Sequence, residues 1–139
     1  MEKESADYLI RRINECPFNR HNGIRALSVT EGEALVEAQI SETSNNIWHV
    51  PHGGLLFALG DVSSGLAAHS LSPDKVMTIN GDMQFLAAAP GAAFLRARGT
   101  VVKAGHSTLF IRVEIHDDSG LLIAAGQYTM HRVHERRNA

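Results

Sequence analysis

Between Gly53 and about Ser70 the chain offers almost no polar face: Leu55, Leu56, Ala58, Leu59, Val62, Leu66, Ala67 and Ala68 cover nearly every side of a helix. A helix that is apolar almost all round is a buried one, so the rest of the chain has to wrap it. Most of the rest reads as strand. Residues 24–30 and 33–41 form a pair, with Leu35, Glu37 and Gln39 alternating against Val36, Ala38 and Ile40 and with Glu31-Gly32 as the turn. After the breaker Ser72-Pro73-Asp74, residues 75–86, 93–104, 107–117 and 121–133 read as long strands. Pro90-Gly91, Gly105 and Asp117-Asp118-Ser119-Gly120 punctuate them. Antiparallel strands at this spacing predict a meander. Residues 4–15 carry Ala6, Leu9, Ile10 and Ile13 at helical spacing, Pro17 stops that helix, and a loop follows through His21-Asn22-Gly23. The expectation is one α+β domain over 1–139. It has an N-terminal helix within 1–16, about six antiparallel strands around one long central helix, and a flexible tail at 134–139.

Composition excludes several classes. The net charge is -2 over 139 residues, which gives no basic face for nucleic acid. Cys16 is the one cysteine, so no internal disulfide forms, as suits a reducing compartment. The N-terminus Met1-Glu2-Lys3-Glu4 begins no apolar signal region, and no run approaches the roughly 18–20 apolar residues of a membrane span. These features predict a cytoplasmic chain with neither nucleic acid nor membrane as a partner.

Two features carry chemistry. Asp61 interrupts the most apolar helix of the chain. A buried carboxylate there would have a raised pKa, suited to a general base or a nucleophile; the other reading is a partly exposed aspartate on a face of small residues. The second is the helix start, Pro51-His52-Gly53-Gly54. Glycines let a ligand approach the backbone, and the first helical turn has unpaired N–H groups that polarise a carbonyl, unless this is only a tight loop-to-helix turn. Asp61 lies eight residues after Gly53, about 12 Å along a helix. A site using both therefore calls for two subunits with antiparallel neighbouring helices. His49-x-x-His52 and His131-x-x-His134 lack a third ligand at metal-binding spacing, so no metal is expected. His131, Arg132, His134, Arg136 and Arg137 read as a solvated end.

From Asn46 through His52-Gly53-Gly54 to Leu59-Gly60-Asp61 the chain resembles the hotdog-fold acyl-CoA thioesterases of the phenylacetic-acid-degradation type. That family shows an asparagine, then His-Gly-Gly six residues on, then a helix carrying Leu-x-Asp. Gly23-Ile24, Gly32, the stretch from Thr78 to Leu86, Gly105-His106-Ser107 and Asp118 to Gly120 extend the resemblance over roughly residues 17–133. It implies that Asp61 activates water or attacks the thioester. The Gly53 N–H polarises the carbonyl, Asn46 and His52 orient substrate or water, and Thr78 lies near the nucleophilic water. It also implies Gly54, Trp48, Phe85 and His106 as substrate-binding positions. Coenzyme A is the leaving thiol, no other cofactor is needed, and the assembly is a dimer or dimer of dimers with intersubunit sites.

The sequence also departs from that pattern. Trp48, His49, Val50 and Pro51 replace smaller residues, Phe85-Leu86 runs into Ala87-Ala88-Ala89 instead of Arg-Pro, and His106 stands where a cation is common. Arg96, Arg98, Lys103 or Arg112 remain to meet CoA phosphates. Trp48 either closes one side of an acyl pocket, for an aromatic acyl group, or packs under its loop. The alternatives are an acyl-CoA-binding hotdog protein without turnover, a thioesterase acting on acyl-carrier-protein thioesters, and a hydratase or dehydratase of the same fold. The last would want a histidine close after Asp61, where the chain has none before His69.

Overall fold

The computed structural model describes residues 5–134. Helix α1 (Ala6–Glu15) is capped by Ser5, whose side chain accepts the Tyr8 N–H. Pro17 both ends it and opens a second short helix, α2 (Pro17–His21), where a loop was expected. Proline fits the first position of a helix, whose N–H would be unpaired anyway. Strands β1 (Ile24–Thr30) and β2 (Glu33–Gln39) form the expected hairpin, turned at Gly32 with φ +78°. A loop with one 3-10 turn leads to the long helix α3 (Gly53–His69). Strands β3 (Lys75–Phe85), β4 (Phe94–Ala104), β5 (Thr108–Asp117) and β6 (Leu122–Val133) follow.

The six strands form one antiparallel sheet in the order β1-β2-β4-β5-β6-β3. Only β4, β5 and β6 make a meander; β3 does not pair with β4, as the expected four-strand meander required, but lies at the far edge beside β6. Helix α3 packs across the sheet and delivers the chain to that edge. The eight residues from Leu86 to Ala93 then return it past two strands to β4. Three strand spacings are roughly 14 Å, and eight extended residues reach about 26 Å, so the crossing is within reach.

Leu59 and Leu66 of α3 sit fully buried against Val36, Leu95, Ile111, Val113 and Ile115 from the sheet. Close approach requires glycine at Gly99, where a Cβ would lie 2.6 Å from the Ser63 carbonyl oxygen of α3. The helix is not buried all round, however. Gly54, Phe57 and Asp61 are exposed, and Ala58, Val62, Gly65 and His69 beside them are half-buried, because the sheet closes on one side only and α1 and α2 cover the gap in part. His131 and Arg132 lie within β6, and His131 and His134 are exposed, as expected of a solvated end. Arg136, Arg137 and the tail after His134 lie outside the described residues, as do residues 1–4.

Candidate active site

Asp61 stands on the open stripe of α3 and is exposed, not buried. The partly exposed aspartate on a small-residue face is the reading the structure supports. One helical turn of small residues keeps that face low enough for solvent to reach the carboxylate. Its Oδ1 accepts a hydrogen bond from the Thr78 hydroxyl at 2.5 Å. Thr78 is brought there by a break in the β3–β6 register between Thr78 and Asn80. A bulge of this kind re-aims a side chain.

At the start of α3, His52 is the N-cap and its Nδ1 accepts the Gly54 N–H at 2.8 Å. That bond fixes the imidazole as the tautomer protonated at Nε2. The Leu55 and Leu56 N–H groups are taken by the His52 carbonyl. Among the described residues the Gly53 N–H has no acceptor, so one donor remains at the positive end of the helix. Asn46 uses its side-chain oxygen to accept from Trp48 N at 2.9 Å, and its backbone pairs with Val50 and His49. This holds a tight loop that the Asn45–Pro51 bridge closes. The loop carries His49 at φ 61°.

These parts open into different clefts. Asn46, Gly53 and Phe85 line one of about 450 Å3 together with Pro51, Leu56 and Leu86. Asp61 and Thr78 line another of about 410 Å3, with Cys16, Val62, Val76 and Met130 in its wall. Gly54 and His52 face a third, smaller hollow beside Phe18. Phe85 packs edge-to-face on Phe57 at 5.8 Å and touches the space a Gly53 side chain would fill.

Two sequence-predicted positions stand apart from these clefts. Trp48 is 76% exposed at its loop tip, so it does not pack under the loop. His106 lies in the β4–β5 turn, stacked on His134 at 5.2 Å, and His134 in turn meets Asp74. Of the four cations left for phosphates, Arg96 is paired with the buried Glu37 and Arg98 with Glu33.

Sequence reasoning missed Tyr128. Its hydroxyl donates to the Phe57 carbonyl of α3 at 2.8 Å, and its ring fills the space above Gly60 and Gly81. Burial pushes its phenol well above the usual range, with the Asp61 and Asp82 carboxylates adding to the effect. The pairing of two glycines with one large ring was the available signal, but it joins three distant positions.

A six-stranded antiparallel sheet packed on one long helix is the hotdog fold. The thioesterase superfamily is matched over residues 49–124, and the chain belongs to it. A protein of Archaeoglobus fulgidus described as "Putative esterase" is 31% identical over 111 residues, 80% of this chain and 71% of that one. The 1,4-dihydroxy-2-naphthoyl-CoA hydrolase of Listeria monocytogenes is 26% identical over 78% of this chain and 89% of its own. Among solved structures, a mutant of the phenylacetic acid degradation protein PaaI from Thermus thermophilus is 27% identical, covering 85% of this chain and 100% of that one with a TM-score of 0.79.

Proposed function

We propose that this protein hydrolyses acyl-CoA thioesters to the free acid and coenzyme A, with Asp61 as the general base. The observation that carries this is the exposed Asp61 carboxylate, held at one oxygen by the Thr78 hydroxyl. Asp61 takes a proton from water as the oxygen attacks the thioester carbon. The developing oxyanion meets the Gly53 N–H, and the CoA thiolate leaves. Such a donor contributes about 10²–10³ in rate. The relative named a CoA hydrolase supports CoA as the carrier. The free thiol of Cys16 suits a reducing, cytoplasmic setting.

Within one chain Asp61 and Gly53 open into separate clefts, about 12 Å apart along α3. The reading is therefore of a two-fold assembly in which Asp61 meets the partner subunit's Gly53. Strand β3 supports it: it is a sheet edge of eleven residues, with Met77 and Ile79 more than half exposed, and an open edge is a template for pairing.

The test is thiol release from a panel of short, long and aromatic acyl-CoAs by the wild type and Asp61→Asn. The expected loss is about a hundredfold or more with the fold intact. Equal activity of the variant would remove Asp61 from the mechanism, and an inactive wild type would turn the protein into an acyl-CoA binder. Single turnover in oxygen-labelled water separates the two routes. The general-base route puts solvent oxygen into the acid at once, whereas an unlabelled acid with label left in Asp61 would reveal a covalent anhydride opened by water at the Asp61 carbonyl.

A further inference from the structure

The cleft that holds Asp61 has a second wall that the proposed chemistry does not use. That wall is α1 and α2, built in rather than loosely apposed. Asn14 of α1 exchanges two hydrogen bonds with the backbone of Ala26 in β1, accepting its N–H at 2.8 Å and donating to its carbonyl. The buried Asn19 of α2 donates to the Ile13 carbonyl at 3.0 Å and so locks the two short helices together. Across from them, α3 presents Asp61 and, one turn further on the same face, Gly65. Ile13, Phe18, Val62, Val76 and Met130 make the space between mostly apolar.

Gly65 is unlike the buried glycines. A Cβ built there meets nothing within 4 Å, whereas one at Gly60 or Gly99 would strike a neighbour below 3 Å. No packing on this chain therefore requires glycine at 65; its lack of a side chain leaves room in the cleft. Toward the helix start the cleft ends at Phe18 and Ala58, which it shares with the neighbouring hollow. In the other direction it runs past Gly65 to His69, one turn further along α3.

The geometry points to this groove as the binding site for the acyl group, an unbranched aliphatic chain of medium length. It would run from its carbonyl at Asp61 along α3, with Gly65 setting the length accepted. This rests on the thioesterase reading for what the chain is attached to. Gly65 lies about 6 Å beyond Asp61 along the helix, so a butyryl group stops short of it and an octanoyl group passes it.

The experiment compares the wild type, Gly65→Ala and Gly65→Leu on straight-chain acyl-CoAs from butyryl to dodecanoyl, by kcat/KM. In parallel, calorimetry measures binding of the matching S-alkyl-CoA thioethers, which cannot be hydrolysed. Burying a methylene is worth about fourfold in affinity, so wild-type binding should tighten by about that factor per carbon up to octyl. In Gly65→Leu the tightening should stop about four carbons earlier, the size of the added side chain. At about fourfold per methylene, the octanoyl-to-butyryl ratio of kcat/KM should then fall about 250-fold, with Gly65→Ala in between. Gly65→Leu leaving that ratio and the binding series unchanged would overturn the groove, as would wild-type binding indifferent to chain length. Chain-length-dependent binding that Gly65→Leu truncates, with no turnover by the wild type, would keep the groove and reject the thioesterase reading.

Discussion

Tyr128 shows how one side chain positions a helix. Its hydroxyl is spent on the Phe57 carbonyl, one turn before Asp61, and its ring occupies the space that Gly60 and Gly81 leave. Replacing it as Tyr128→Phe removes that bond at a cost of about 1 kcal/mol and leaves the ring in place. The phenol also sets a pH dependence. Burial, then Asp61 and Asp82, hold its folded pKa above the ordinary 10.0. The native protein thus keeps a proton that the unfolded chain gives up. The stabilisation is complete below that ordinary value and declines as pH rises above it. Urea midpoints from about pH 9 to about pH 12 should fall more steeply in wild type than in Tyr128→Phe, and parallel slopes would contradict this. Asp61 was legible in the sequence as the single acid in an apolar run. Its exposure was not, because that depends on which side of α3 the sheet leaves open.

At the scale of elements, the seat of α3 was readable only in part. Its length, its N-cap region and the strands flanking it follow from local patterning, which is why β1 and α3 lie where the periodicity puts them. The place of β3 does not, since local patterning marks residues 75–85 as a strand without saying which neighbour it takes, and the path of α3 across the sheet decides which edge β3 joins. Helix α2 was hidden for a different reason: proline ends one helix and begins another with the same residue. The closeness of α3 to β4 yields a paired prediction from one substitution type. Gly99→Ala pushes a methyl against the Ser63 carbonyl oxygen and should cost about 1–3 kcal/mol. Gly65→Ala, at a half-buried position where a Cβ meets no atom within 4 Å, should gain up to about 1 kcal/mol from helix propensity. Thermal melts should therefore move in opposite directions, by about 2–4 °C per kcal/mol for a domain of this size. Two shifts of the same sign would mean that α3 does not sit on Gly99 as described.

For the molecule as a whole, the eight-residue step from Gly53 to Asp61 is the ground for proposing a site shared by two subunits, and the separate clefts of the folded chain are consistent with that proposal. It can be tested by combining two inactive proteins. Gly53→Pro deletes the free N–H and little else. Position 53 is the first residue of α3, where proline is tolerated, and His52 already has the extended backbone (φ -68°, ψ 138°) that a following proline requires. A Cβ there reaches Phe85 at 3.4 Å, an ordinary contact. Gly53→Pro alone should lose about 10²–10³ in kcat, and Asp61→Asn alone about a hundredfold or more. In a mixed dimer with sites shared across the two-fold, one site collects both lesions and the other has neither. Refolding the two variants together at equal amounts should then restore roughly a quarter of wild-type activity, since half the dimers are mixed and half their sites intact. If each site is completed within one chain, every site in the mixture carries one lesion, and the refolded mixture will be no more active than the variants apart.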